Sequence, residues 1–146
     1  MRLQISEQQH FARQFDIELR PDTASAHAHG DFSLLSVLLR NLIDNAIRYS
    51  PPDTVVTVAC AVAADGPVLR VSDQGPGIPD ALRARVFERF FRASNAAGYG
   101  SGLGLSIVQR IAEIHGARVE IGAGSDGRGA CFTVHLQWSR GEPAAR

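Results

Sequence analysis

The sequence has few cysteines, no long apolar run and no excess of charge of either sign. Its two cysteines are too few for a disulfide framework, which favours free thiols in a reducing, cytosolic compartment. No apolar run reaches the roughly 18 residues that a membrane-spanning helix needs, because Ser36 and Arg40 interrupt the longest candidates. Lysine is absent, and the fifteen basic residues balance fifteen acidic ones. A net charge of zero gives no reason to expect nonspecific binding to nucleic acid or to an anionic membrane.

Length and composition predict one domain. The chain has 146 residues, of which 45% are hydrophobic and 21% are charged, so it can bury one core but has no room for a second domain. Residues 1–12 are polar and only weakly helical in pattern, and we expect them to be a linker remnant. The domain is then predicted over 13–138, followed by a disordered tail over 139–146.

Sequence periodicity predicts the order of the elements. Polar and apolar residues alternate from Phe15 to Leu19, which predicts a strand that Pro21 closes. The other predicted elements are a helix from Asp31 to Ser50, strands at 54–62 and 67–73, a short helix at 79–86, a helix from Gly102 to His115, and strands at 117–122 and 130–138. The buried stripe of the 102–115 helix is predicted to be Leu103, Ile107, Ile111 and Ile114.

The helix that ends at Ser50 has an unusual polar face. Its apolar stripe is flanked by Asn41, Asn45 and Arg48 at i, i+4 and i+7. Asparagine is unfavourable in the middle of a helix and costly to bury without a partner, so this face favours a bound ligand. A solvated polar stripe on a surface helix is the commoner explanation of such a stretch when it stands alone.

An acidic residue follows the second strand of the predicted hairpin. Asp73 lies on the same strand face as Leu69 and Val71, which predicts that its carboxylate points inward. Gly75 and Gly77 follow directly and permit a close approach of the backbone to a bound group. This arrangement is suited to accept hydrogen bonds from the exocyclic amine of a flat ring.

A glycine-rich stretch precedes the 102–115 helix. The sequence GYGSGLGLSIV places Gly100, Gly102 and Gly104 where free backbone amides and the positive end of the helix dipole attract phosphate. Residues 93–100 have the composition of a mobile loop, and we expect nucleotide to order it. The amide oxygens of Asn41 and Asn45 suit Mg²⁺, which shares its ligands with substrate phosphates. Together the three features predict a nucleotide site.

Four stretches resemble the catalytic, ATP-binding domain of bacterial sensor histidine kinases. They are NLIDNAIRYSP, SDQGPGIP, VFERFFR and GSGLGLSIVQRIAEIHG, in the order and spacing of that family. The resemblance covers residues 15–138. It implies an α+β fold, a two-layer α/β sandwich in which about three helices cover a mixed sheet of about five strands. Gyrase, heat-shock chaperone and mismatch-repair ATPases share this ATP-binding fold.

The resemblance also implies residue roles. Asn45 would be the Mg²⁺ ligand and a catalytic residue, supported by Asn41, and Arg92 would contact the γ-phosphate. Asp73 would recognise adenine. The other positions that the resemblance implies for ATP are Arg48 near the phosphates, Tyr49 beside adenine, and Gly75, Gly77, Ile78, Gly100, Ser101, Gly102, Leu103, Gly104 and Leu105.

None of the five histidines has the surroundings of the acceptor histidine of that family, which precedes an acidic residue and, further on, Thr-Pro or Asn-Pro. The resemblance therefore implies transfer to a histidine on a separate dimerisation domain of the same kinase, with a response regulator downstream. The chain alone is expected to be monomeric and inactive in transfer. It would be the cytoplasmic part of an inner-membrane sensor, without direct contact to membrane or nucleic acid.

Three alternatives remain at this point. A related hydrolytic ATPase would carry a water-activating glutamate four residues before the metal-binding asparagine, where this chain has Asn41. An anti-sigma-factor serine/threonine kinase has this fold and about this length. The third alternative is a non-catalytic module that binds nucleotide and partner proteins.

Overall fold

The computed structural model describes residues 2–23, 28–91, 102–124 and 126–137. Within these ranges three α-helices and five strands form one layered domain. In chain order they are α1 (Arg2–Gln14), β1 (Ile17–Thr23), α2 (Phe32–Tyr49), β2 (Thr54–Ala63), β3 (Gly66–Ser72), α3 (Gly104–Ile114), β4 (Arg118–Ala123) and β5 (Ala130–His135). The predicted tail over 139–146 lies outside the described residues.

The strands form a single mixed sheet in the order β1-β2-β3-β5-β4. β1 runs parallel to β2, and the other neighbours are antiparallel. The sequence predicted that β1 ends at Pro21, but the strand continues through Pro21 to Thr23. Proline is tolerated there because β1 is an edge strand and does not need every backbone donor. The predicted two-layer α/β sandwich with a mixed sheet of about five strands is confirmed.

Helix α2 contributes six buried residues to the core. Asp31 caps its N-terminus by accepting a hydrogen bond from the backbone N–H of Leu34 at 2.9 Å, and Ser50 ends it. The sequence places Leu35, Leu38, Leu42, Ala46 and Tyr49 on one apolar stripe of this helix. Leu38, Leu42 and Ala46 are buried, whereas Leu35 and Tyr49 are half-buried. The three buried side chains pack against the inner face of the sheet, where the buried residues are Val56, Val58, Val71, Phe132 and Val134.

The predicted buried stripe of α3 is partly wrong. Ile111 is buried, but Ile107 is 40% exposed and Ile114 is 57% exposed, whereas Val108 is fully buried. The helix begins at Gly104, after a turn in which Gly102 has a φ of +72°. Apolar residues occupy a broad arc of this helix, and packing against α2 decides which side of the arc is buried.

The predicted helix over 79–86 is two 3₁₀ turns, Asp80–Leu82 and Arg85–Phe87. The guanidinium of Arg83 donates to the carbonyl of Ile78 at 3.1 Å, and Val86 is the buried anchor of the second turn. A segment this short has one buried side chain and lacks the apolar stripe that would stabilise a regular α-helix.

Residues 2–14 form a packed helix, which includes most of the stretch over 1–12 that the sequence predicted to be a linker remnant. Ala12 is fully buried, Gln8 is 7% exposed, and the ring of Phe11 lies 5.0 Å from that of Phe15. The pattern is weak because few α1 side chains are apolar. Contacts with β1 and α2 stabilise the helix instead. Within the part of the chain that the structure describes, no helix is long and apolar enough to cross a membrane.

Candidate functional site

Asp73 is a buried carboxylate at the end of β3, as the alternation of that strand predicted. It is 5% exposed. Its Oδ1 atom accepts hydrogen bonds from the backbone N–H groups of Gly75 at 2.9 Å and Ala130 at 3.1 Å. Its own N–H donates to the carbonyl of Ala130 at 2.9 Å, which ties it to β5. Both side-chain bonds of Asp73 among the described residues use Oδ1, so Oδ2 remains for another donor.

Burial raises the pKa of Asp73 above its ordinary value, and the backbone N–H groups of Gly75 and Ala130 oppose that shift. The ionised carboxylate therefore costs folding free energy. The pKa of Asp73 is therefore higher in the folded protein than in the unfolded chain. The stability that the protonated carboxyl contributes is fully present below the unfolded-state pKa and is lost as pH rises through the folded-state pKa. Such a cost is typical of groups kept for binding or catalysis.

We expect the difference in unfolding free energy, Asp73→Asn minus wild type, to grow as pH rises from below 3.8, the ordinary aspartate value, towards neutrality. The asparagine cannot ionise, and its Oδ1 can still accept from both backbone donors. Urea unfolding of both proteins at acid and neutral pH measures this difference. A difference that does not change with pH would show that burial does not raise the pKa of the Asp73 carboxyl.

Two predicted glycines fix the loop after Asp73 against its neighbours. A Cβ on Gly75 would lie 2.4 Å from the carbonyl oxygen of Tyr49, so this loop packs directly on the C-terminal end of α2. Gly77 has a φ of +76°, and a Cβ there would lie 3.0 Å from the carbonyl oxygen of Gly129. Both positions require glycine, the first because of space and the second because of its backbone conformation.

Sequence reasoning missed two further glycines beside Asp73. A Cβ on Gly129, whose φ is +74°, would lie 2.1 Å from the Asp73 carbonyl oxygen and 2.6 Å from its Oδ1 atom. A Cβ on Gly124 would lie 2.8 Å from the same carbonyl oxygen. The only sequence signal is the glycine-rich GAGSDGRGA stretch between the last two strands. That turn forms one wall of the Asp73 site.

The start of α3 provides backbone donors without a side-chain cap. Its N-cap residue is Leu103, whose side chain cannot bond the first amides of the helix. The carbonyl of Gly102 accepts a hydrogen bond from the N–H of Phe90 at 2.9 Å. This bond holds together the two described ends of the segment that joins the 3₁₀ turns to α3. Free amides at a helix N-terminus suit a phosphate group.

Asn41 connects the polar face of α2 with the start of α3. Its amide Nδ2 donates to the carbonyl of Val37 at 2.9 Å, which fixes the orientation of the side chain. Its Oδ1 atom lies 3.2 Å from the position of a Cβ on Gly104, so the oxygen faces the N-terminus of α3. Asn45, one turn later, is half-buried. The oriented amide oxygen fits the hard oxygen ligands that Mg²⁺ prefers, and the helix amides beside it fit a phosphate.

Arg48 is paired within α2 and contacts α1. Its Nε atom donates to Asp44 Oδ2 at 3.0 Å, and its guanidinium lies 5.3 Å from the centre of the Phe11 ring. The structure therefore places it beneath α1. Tyr49 meets the Asp73 loop through its backbone carbonyl, and its side chain is half-buried.

The remaining predicted positions divide into two groups. Ile78 packs against the hydrophobic core beside the Asp73 loop, and Leu105 packs against it from the first turn of α3. Leu103 is the N-cap residue of that helix. The other predicted positions are Arg92, Gly100 and Ser101, and they lie outside the described residues, as does the loop over 93–100.

Most of the chain matches one known protein family. Residues 30–140 match the family described as histidine kinase-, DNA gyrase B-, and HSP90-like ATPase. This match contains α2, the Asp73 loop and α3. It therefore includes every described residue of the candidate site.

Individual relatives are sensor kinases. The chain is 46% identical over 132 residues to the sensor protein QseC of Escherichia coli, an alignment that covers 88% of this chain and 28% of QseC. The chain thus spans little more than a quarter of that protein. The structure is similar to the mycobacterial sensor histidine kinase MprB, with a TM-score of 0.79, 34% identity, and coverage of 93% of this chain and 94% of the other. It is also similar to full-length ShkA in complex with AMPPNP, with a TM-score of 0.80, 28% identity, and coverage of 99% and 30%.

Proposed function

Because the chain belongs to the family of histidine kinase-, DNA gyrase B- and HSP90-like ATPases and is homologous to sensor histidine kinases, we propose that it binds Mg²⁺-ATP and transfers the γ-phosphate to a histidine on a separate domain. The chain is the ATPase catalytic domain of a histidine kinase by this homology.

The buried carboxylate of Asp73 carries the proposal. Two backbone N–H groups occupy its Oδ1 atom and fix its orientation. Its Oδ2 atom is then positioned to accept a hydrogen bond from the exocyclic amine of adenine. A buried acceptor of this kind rejects a ring that lacks the amine, because the oxygen would stay unpaired. ShkA, a structural relative, was solved with an ATP analogue, which supports the same ligand class here.

The phosphates and the metal would lie between α2 and α3. The Asn41 amide oxygen faces the start of α3, and Asn45 lies one turn further along the same helix. We propose that Asn45 ligates Mg²⁺, that Asn41 supports it, and that the amides at Gly104 and Leu105 bind phosphate oxygens. When bound, Mg²⁺ supplies charge neutralisation at the triphosphate. Neutral amide ligands leave that positive charge available to the phosphates.

The chain's own contribution to transfer is binding and orientation. Phosphoryl transfer in kinases depends on positioning and on charge stabilisation rather than on covalent chemistry by the protein. His115 is a poor acceptor, because one of its ring nitrogens bonds the carbonyl of Ile111 at 2.8 Å and the other accepts from the N–H of Asp31 at 2.9 Å. We therefore propose that another domain delivers the acceptor.

The partners follow from the same argument. The acceptor would belong to the dimerisation domain of the same kinase, and the phosphate would pass on to a response regulator. The relatives are named as sensor proteins, which supports a place on the cytoplasmic side of an inner-membrane receptor. The alignments cover 28% of QseC and 26% of PmrB.

We expect the chain by itself to bind ATP, to release free phosphate very slowly and to leave itself unlabelled. Asn41 occupies the position where the hydrolytic relatives are expected to carry a water-activating glutamate, and its amide nitrogen is already bonded to Val37. Incubation with γ-labelled ATP, followed by phosphate assay and gel, measures both quantities. Rapid phosphate release would favour the hydrolytic ATPase, and stable self-labelling would favour the serine kinase.

A further inference from the structure

The side chain of Gln74 connects three elements beside the buried carboxylate. The backbone ladder between β2 and β3 ends at the pair Thr57 and Ser72. Two residues beyond that pair on both strands, the Gln74 Oε1 atom accepts a hydrogen bond from the backbone N–H of Val55 at 2.8 Å. Its Nε2 atom donates to Asp126 Oδ2 at 3.2 Å, in the turn that joins β4 to β5. One side chain therefore links β2, the loop after β3 and the β4–β5 turn.

The carboxylate of Asp126 extends this link into the backbone of the β4–β5 turn. Its Oδ1 atom accepts a hydrogen bond from the backbone N–H of Arg128 at 3.2 Å. That bond lowers the pKa of Asp126, so the group is ionised at neutral pH and accepts at both oxygens. The contact with Gln74 thus reaches the backbone two residues before Ala130.

Both backbone donors to Asp73 Oδ1 lie in segments that Gln74 joins. Gly75 is the next residue of the chain after Gln74, and Ala130 follows the β4–β5 turn. A Cβ on Gly129 would lie 2.6 Å from Asp73 Oδ1, so this turn packs directly on the carboxylate. A displacement of the turn would move the Ala130 N–H away from Oδ1. The direction of the other carboxylate oxygen would change with it.

The neighbours of Gln74 determine which way its amide faces. A backbone N–H can only donate, so the amide atom that faces Val55 must be the oxygen. An ionised carboxylate can only accept, so the atom that faces Asp126 must be the NH₂ nitrogen. The order of donors and acceptors across this bridge is therefore fixed. Substitution can break it or reverse it at a chosen link.

We propose that Gln74 is a positioning residue for adenine recognition, whose bridge between Val55 and Asp126 holds in place the two backbone donors that orient Asp73. This inference rests on the proposed function, since it takes adenine as the group that the Asp73 Oδ2 atom binds. Gln74 acts through Asp73 and does not itself contact the nucleotide. It contributes to the preference for adenine, and the phosphates are bound elsewhere.

Two single substitutions break the bridge, and their combination restores it. Gln74→Glu can still accept from Val55 but places an oxygen against the ionised Asp126. Asp126→Asn can still accept from Arg128 but places its Nδ2 against the Gln74 amide. The combination pairs an amide donor with a carboxylate acceptor again and keeps the net charge of the wild type. Gln109→Glu, at an exposed position of α3, is the control for added charge.

Calorimetric titration is performed with ATP and with purine ribonucleoside triphosphate, which lacks the exocyclic amine. We expect Gln74→Glu and Asp126→Asn each to weaken ATP binding about two- to tenfold, the effect of one hydrogen bond, and to change binding of the purine nucleotide little. The combined variant should regain wild-type affinity for ATP, because the two substitutions act on one contact. Gln109→Glu should bind both nucleotides as the wild type does.

The comparison of the two nucleotides distinguishes positioning from a structural or charge effect. Asp126 is exposed, so its substitution should leave the fold intact, as measured by urea unfolding. Equal losses for both nucleotides, wild-type ATP affinity in both single variants, or a combined variant no better than the single ones would each overturn the inference. If the wild-type protein binds neither nucleotide, the proposed function itself fails.

Discussion

Asp73→Asn is expected to weaken the binding of ATP and ADP by about 5- to 150-fold, which corresponds to about 1 to 3 kcal/mol for a buried hydrogen bond that is lost and leaves a group unsatisfied. The asparagine Oδ1 can still accept from Gly75 and Ala130, so the local fold is retained. Its Nδ2 replaces the carboxylate oxygen that would accept from the adenine amine. The amide Nδ2 of the asparagine would then face the adenine amine, and both groups are hydrogen-bond donors.

Calorimetric titration measures this loss, and Asp65→Asn is a matched control. Asp65 is an exposed carboxylate in the turn between β2 and β3, at the far end of that hairpin from Asp73. The control should bind as the wild type does. A folded Asp73→Asn protein with wild-type affinity would show that adenine does not contact this carboxylate.

Asn45→Ala is expected to reduce Mg²⁺-dependent phosphate transfer by more than about tenfold, since even the outer partners of metal ligands contribute about 10- to 100-fold. Binding of ATP in the presence of chelator should change little, because the substitution removes a metal ligand and no adenine contact. Asn45→Asp should impair transfer as well, since it places a negative charge beside the triphosphate.

Transfer in trans and calorimetry with and without Mg²⁺ separate these effects. Ser33→Ala provides a control on the same helix, because Ser33 is exposed in the first turn of α2. It should behave as the wild type does in both assays. Wild-type transfer by Asn45→Ala would mean that the metal lies on another face of α2.

The parts of the fold that depend on local sequence were predictable. The α2 helix has an N-cap at Asp31, a regular apolar stripe and a stop at Ser50, so its bounds follow from neighbouring residues. The inward direction of Asp73 follows from the alternation of β3 and was confirmed by its burial. These features needed no knowledge of distant contacts.

The parts that depend on distant contacts were not predictable. α1 is helical because of its contacts with β1 and α2, and its own sequence is largely polar. Gly129 must be glycine because Asp73, more than fifty residues earlier, occupies the space of its side chain. The buried side of α3 is selected by the neighbouring α2 from a broad apolar arc. In each case the constraint comes from a second element.

The most direct test of the proposed function is transfer of the γ-phosphate to a histidine in trans. The chain is incubated with γ-labelled Mg²⁺-ATP and the acceptor-histidine dimerisation domain of the parent kinase. We predict that the label appears on that domain, that it is lost in acid and stable in base, and that Asp73→Asn reduces it at ATP concentrations that do not saturate the variant. A labelled serine stable to acid, or an acceptor domain that stays unlabelled while the chain binds ATP, would contradict the account.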